Sequence, residues 1–245
     1  MATKTRIGII GKGNVGTALS RGLERIGHEV RASGKDPAQV KEVAGWADAV
    51  ILAVPYGERQ NAIREAGASN LSGKTLVDVS NVIGEGMRFA GSTDRSGAEE
   101  IQEWAGPDCR VVKAFNTVFA NHMDKGVALD EQLTLFCAGD DPQSKNEVLD
   151  MGRAIGFDAV DAGPLENARW LEPLGYLNIN LAYKVGLGPD SGFRYVHAPS
   201  QKEGREGTPA TRPSRAAPRT DRTEPVAPST SDSASPARHL PQPQA

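Results

Sequence analysis

Thr5-Arg6-Ile7-Gly8-Ile9-Ile10-Gly11-Lys12-Gly13-Asn14-Val15-Gly16 is an apolar run that stops at a glycine-rich turn, and Thr17-Ala18-Leu19-Ser20 continues it as a helical pattern. Strand, G-x-G-x-x-G and helix in that order form a dinucleotide-binding signature, which the flanking elements make far more specific than the glycines alone. Gly11 suits the tight turn. Gly13, lacking a Cβ, lets a diphosphate approach the backbone, and Gly16 lets the helix pack closely on the strand. The helix N-terminus then points its free N–H groups at the phosphates. Lys12, Asn14 and Val15 complete the predicted phosphate loop.

The rest of the 245 residues sets bounds on this reading. A net charge of −3 gives no basic surplus for holding nucleic acid by bulk charge. Cys109 and Cys137 lie in apolar runs without metal-ligand or redox spacing, and they read as free thiols of a reducing compartment. Met1 to Lys4 lead straight into the first strand, so no secretory leader is expected, and no apolar run approaches a membrane span. A cytoplasmic protein is expected. From Ala198 to Ala245 there is no Phe, Trp or Tyr, and nine of the sixteen prolines fall there. Such a segment buries too little apolar surface to offset its ordering entropy and is expected to be disordered.

Between these limits strands and helices alternate. His28–Ser33 reads as the second strand, Asp36-Pro37 as the cap and first residue of a helix over 38–47, and Asp48–Val54 as an apolar strand buried on both faces. Lys74–Ser80 and Cys109–Phe115 are the next strands, with an irregular stretch over 81–96 and a short helix over 98–105. Then come a strand over 132–138, a helix capped by Asp141-Pro142, a strand over 157–162, and a helical pattern over 164–185 that Pro173 should kink or split. The alternation predicts a doubly wound, parallel α/β sheet of the dinucleotide-binding kind. The expected organisation is a nucleotide-binding domain over 1–120, a small α/β extension over 121–197 and the tail over 198–245.

The second strand ends where an NAD site usually carries Asp or Glu for the ribose 2′-hydroxyl. Residues 31–35 here read Arg-Ala-Ser-Gly-Lys. Ser33, the N–H groups near Gly34 and the Lys35 ammonium suit a 2′-phosphate instead, which favours NADP. Arg31 ranks below Lys35, and Asp36 lies one or two residues from the same position. Three further loops at strand ends are predicted to line the groove: Val54-Pro55-Tyr56, Ser80-Asn81-Val82 and Phe115-Asn116-Thr117. Asn81, Asn116 and Thr117 are the candidates for the acceptor side. For the two asparagines, capping of turn backbone is an equally good account.

No nucleophile motif, metal-ligand cluster or recognisable acid/base box is present. His122 stands alone and reads as a surface or packing residue. Lys113, Tyr56, Lys184 and Tyr183 are the available proton donors, none in a catalytic setting. That absence points to hydride transfer needing mainly orientation, as between two redox cofactors.

The chain resembles the NADPH-dependent reductases of coenzyme F-420, the 8-hydroxy-5-deazaflavin:NADP oxidoreductases. The matching stretches are Gly11–Gly16, Gly27–Pro37, Ile51–Tyr56, Gly91–Glu99, Val112–Thr117, Ala138–Asp141, Asp161–Leu165, and Ala168-Arg169 with Leu171-Glu172-Pro173. They span residues 5 to about 195. The resemblance implies NADP(H), with its 2′-phosphate held by Ser33, Gly34 and Lys35, and coenzyme F-420 as co-substrate. Hydride would pass from nicotinamide carbon 4 to deazaflavin carbon 5 across roughly 3–3.5 Å, with no obligatory acid residue. Two departures stand out. Gly34-Lys35 replaces the Ser-Arg common in that family, and Asn116 occupies a position that is His in some members. The Lys113-Ala-Phe-Asn116 form is also similar to the cytoplasmic NADPH-flavin domains of membrane metalloreductases.

The expected function is therefore NADP-dependent hydride transfer to or from coenzyme F-420. The alternatives are an NADPH-dependent reductase of a flavin, metal chelate or imine, and a non-catalytic NADP(H)-binding regulatory module. Gly91–Ala98 is expected either to cover the cleft, with Thr93, Arg95 or Ser96 near the acceptor, or to be a solvated loop. Arg169 and Glu172, three apart, suit an i,i+3 pair or a subunit contact as well as a ligand. Leu174, Leu177, Ile179 and Leu181 suggest a homodimer.

Overall fold

The computed structural model describes residues 4–198; Met1 to Thr3 and nearly all of the segment expected to be disordered lie outside the described residues. The elements alternate from the start: β1 (Arg6–Ile10), α1 (Asn14–Arg25), β2 (Glu29–Ser33), α2 (Pro37–Trp46), β3 (Ala49–Leu52), α3 (Arg59–Ala66), α4 (Ala68–Leu71), β4 (Thr75–Asp78), α5 (Gly97–Ala105) and β5 (Arg110–Lys113). Then follow β6 (Val127–Ala128), β7 (Glu131–Gln132), β8 (Thr134–Gly139), α6 (Pro142–Ile155), β9 (Asp158–Asp161) and α7 (Ala168–Tyr183). Asp36 accepts a hydrogen bond from the Ala38 N–H and Asp141 one from Ser144, so both predicted caps form, each followed by Pro at the first helical position.

Seven strands form one sheet in the order β2-β1-β3-β4-β5-β8-β9. β2 through β5 are mutually parallel; β8 runs antiparallel to β5, and β9 parallel to β8. The sheet thus continues across residue 120, where the sequence suggests a domain boundary. Every residue of β3 and β4 is buried; the apolar character of β3 predicts this for a strand covered on both faces, whereas β4 also buries Thr75 and Asp78. One apolar cluster joins Leu19 and Leu23 of α1 with Val148 and Leu149 of α6. The other joins Val40 of α2, Ile63 of α3 and Ile101 of α5.

The strand order reverses between β1 and β3, which places the topological switch point, where such sheets bind ligands, at the glycine turn. α7 does not break at Pro173. The turn around it is held from outside, because the Asn116 side-chain amide donates to the Leu171 carbonyl at 2.8 Å. Packing at that point outweighs the roughly 3 kcal/mol penalty of an interior proline.

Candidate active site

The three glycines of the turn have different causes. Gly11 has φ +119°, and a Cβ there would run into the Ala53 carbonyl; a Cβ on Gly16 would run into the carbonyl of Gly11. These two are demanded by the protein's own packing. Gly13 is not: its φ is −75°, and nothing lies within 4 Å of where its Cβ would be. The open space over Gly13 faces the start of α1, which has no side-chain cap and no acid in its first turn. A helix end left positive and unsatisfied beside an open cradle fits a diphosphate.

A cleft of about 650 Å³ runs from this turn across the carboxyl ends of β4 and β5 to α7. Lys12, Gly13, Asn14, Val15 and Thr17 line one part of it, and Val79, Asn81 and Asn116 the strand ends. Met87, Phe119, Asn178, Ile179 and Tyr183 also line it. Asn116 is aimed by Phe115, whose left-handed backbone (φ +63°) turns the chain at the end of β5. Its amide reaches Leu171 and, at 3.4 Å, the Asn81 side-chain oxygen. Gly175 permits this, since a Cβ there would strike both asparagines. Thr117 is buried just behind, its carbonyl accepting from Asn178 at 3.1 Å.

The β2 end differs from expectation in one respect. Ser33 is fully buried with its hydroxyl unpartnered, while its carbonyl accepts the Gly11 N–H at 3.0 Å. What that end offers to the surface is Gly34 and Lys35. Lys35 is engaged with Glu58 at 2.7 Å. Arg31 turns away, stacking on the Trp46 ring at 4.3 Å. Val54 and Pro55 lead from β3 into the turn at Tyr56, whose ring lies under the Arg59 guanidinium at 4.1 Å.

Of the four proton-donor candidates only Tyr183 lines the cleft. Lys113 is sealed in a network: its ammonium donates to Asp78 (2.7 Å), the Ser80 carbonyl (2.8 Å) and Glu172 (3.1 Å), with all three side chains essentially inaccessible. Burial pulls the Lys113 ammonium down, but Asp78 and Glu172 together carry it above the ordinary lysine value, so it stays charged. Ser80 has its hydroxyl committed to Asp78 at 2.6 Å. Glu172 also accepts the Gly97 and Ala98 N–H groups at the start of α5. It therefore does not pair with Arg169, which binds Glu99 at 2.6 Å and Glu166 at 3.0 Å.

Nor do Thr93, Arg95 and Ser96 line the cleft. Ser96 caps α5 in a capping box with Glu99, and Arg95 pairs with Glu103. The segment that reaches the cleft is the one before them, through Met87. His122 is buried against the Pro189 carbonyl at 3.2 Å, a packing position. Ile179 faces the cleft while Leu177 is exposed, so the four apolar residues expected at a dimer contact do not share one face. Met87 and Phe119 carry no signal in the sequence, because irregular segments have no period. Asn178 carries one: it stands three residues from Gly175, on the helix face that meets Asn116 and Thr117.

This turn, switch point and cleft define a Rossmann-type dinucleotide-binding domain. Residues 6–46 match the family profile described as NADP oxidoreductase, coenzyme F420-dependent. A solved structure from Arthrobacter sp. FB24, named for F420-dependent NADP-reductases, is 28% identical with a TM-score of 0.72, covering 79% of this chain and 100% of its own. The F420-dependent NADP reductase of Methanothermobacter marburgensis is 29% identical over 169 residues, 64% of this chain and 72% of that protein. The chain is thus similar to the F420-dependent NADP oxidoreductases along most of its described length. It is also 33% identical over 181 residues to the metalloreductase STEAP3 of Rattus norvegicus, covering 69% of this chain. It spans about a third (36%) of that relative's length. No helix among the described residues is long and apolar enough to cross a membrane.

Proposed function

We propose that the protein transfers a hydride between NADPH and coenzyme F-420. The observation that carries this reading is the single cleft that joins an open, uncapped diphosphate cradle at Gly13 to an apolar wall without a charged acid or base. Gly11 to Gly16 and the start of α1 would hold the diphosphate, Gly34 and Lys35 the 2′-phosphate, and Val54 to Tyr56 the adjoining groove. Asn81 and Asn116, fixed by Leu171 and Gly175, would orient the nicotinamide at the strand ends. The chemistry supplied there would be a hydride moving from nicotinamide carbon 4 to deazaflavin carbon 5, with the single accompanying proton taken from solvent. The protein's part is orientation and exclusion of water, which for aligned reactants is worth about 7–11 kcal/mol. Cys109 and Cys137, both unpaired and buried, agree with a reducing compartment such as the cytoplasm.

A flavin is the second reading, favoured by Asn116 and by the likeness to a metalloreductase. One assay separates these: protein and NADPH are mixed with oxidised deazaflavin, then with free flavin, then with a ferric chelate, and absorbance is followed. Loss of deazaflavin absorbance supports the first reading. Turnover with flavin or chelate alone replaces it with a reductase of that acceptor, and nucleotide binding without any turnover replaces it with a regulatory module.

A further inference from the structure

Between β4 and α5 the chain makes a small antiparallel turn. Ile83 bridges Phe89, the Gly84 N–H donates to the Arg88 carbonyl at 2.8 Å, and the Ala90 N–H donates to Val82 at 3.1 Å. At its tip Gly86 (φ +64°) and Met87 (φ +57°) are both left-handed. That conformation is natural for glycine and costly for methionine, so the surroundings must hold it. They do so from α7. Tyr176 Oη donates to the Met87 carbonyl at 3.1 Å, and its ring lies 5.4 Å from that of Phe89. Lys184 in turn donates to Tyr176 Oη at 3.3 Å.

The consequence is a half-exposed methionine side chain held at the wall of the cleft. Its apolar companions there are Phe119, Ile179 and Tyr183, with Phe119 and Tyr183 edge to face at 5.8 Å. The charged residues of the lining, Lys12 and Arg21, belong to the glycine loop and α1, and Arg21 is engaged by Asp124 at 3.4 Å.

We infer that Met87 is a specificity-determining residue for the hydride acceptor and that Tyr176 is its positioning residue. This rests on the cleft being the NADPH–acceptor site. The thioether and the aromatic edges suit the face of a planar redox ring of flavin size, since a methionine sulfur packs well on aromatic rings and adapts to their outline. The same wall disfavours a polyanionic metal chelate, which would lose its hydration against Met87, Phe119 and Ile179 without gaining a partner.

The test uses the full chain and the variants Met87→Ala, Met87→Leu and Tyr176→Phe. NADPH affinity is read by nicotinamide fluorescence. Affinity for oxidised FMN and for oxidised deazaflavin is read by quenching on protein saturated with NADP+, where no turnover occurs. Met87→Ala is expected to weaken ring binding about tenfold, Met87→Leu to retain most of it, and Tyr176→Phe to weaken it severalfold, with NADPH affinity within twofold throughout. The inference is overturned if neither ring binds the wild type, if ring affinity is unchanged in Met87→Ala, or if NADPH affinity falls in parallel. Ring binding that depends on Met87 without hydride transfer counts against the enzymatic reading alone.

Discussion

Lys113 and Asp78 meet at 2.7 Å with neither side chain accessible to solvent, and Glu172 closes the group from α7. The pair lies in register at the last residues of the adjacent strands β4 and β5. It joins β4, β5, α5 and α7 directly beneath the cleft. Every partner is satisfied, which is the condition under which such a buried group is tolerated.

Removing one member strands the others. Lys113→Met is expected to lower unfolding free energy by about 3–5 kcal/mol, read by urea denaturation. Glu172→Gln keeps one acceptor and should cost about 1–3 kcal/mol. If Lys113→Met unfolds at the wild-type midpoint, the network contributes no net stability.

The glycine turn divides into structure and ligand. Gly16→Ala is expected to destabilise the fold by at least about 2 kcal/mol, because the new Cβ meets backbone. Gly13→Ala should leave the thermal midpoint nearly unchanged, since no protein atom lies within 4 Å of the new Cβ, yet weaken NADPH at least tenfold if a diphosphate lies there. Calorimetry on both variants, with and without nucleotide, checks the contrast. Equal nucleotide affinity in Gly13→Ala would remove the phosphate role.

Lys35 is tethered to Glu58, and a carboxylate there would compete with a 2′-phosphate for the same ammonium. Glu58→Gln is expected to tighten NADPH severalfold while leaving NADH unchanged. Lys35→Gln should weaken NADPH about tenfold with little effect on NADH, narrowing the preference between the two. Paired titrations measure both, and equal NADPH and NADH affinity in the wild type would sink the assignment.

Acid sensitivity has a named source. Glu99, hydrogen-bonded above all by Arg169, is held down to about 2 from an ordinary 4.5. A folded-state value below the unfolded one contributes stability that is full above about pH 4.5 and disappears as pH falls toward 2. Arg169→Gln is therefore expected to cost about 1–2 kcal/mol near neutral pH and almost nothing at the acid end, after allowance for partial exposure. Urea midpoints measured across pH test this; a pH-independent cost would assign Arg169 to packing alone.

The sequence by itself determined the α/β alternation, both Asp-Pro caps and the nucleotide turn. Each is a local matter: a strand buried on both faces is mostly apolar, as β3 is, while glycine is required at Gly11 by a left-handed turn and at Gly16 by the close approach of the helix to that turn. Tertiary structure alone decided the rest. Ser33 reads as a surface ligand until the sheet buries its hydroxyl, and Lys113 reads as a proton donor until Asp78 and Glu172 enclose it. Arg169 and Glu172 share a helix but answer to different partners on α5. Met87 lines the cleft with its carbonyl held by Tyr176, 89 residues later. A spacing along the chain records which residues share a face, whereas the partners across that face are chosen by packing between distant segments.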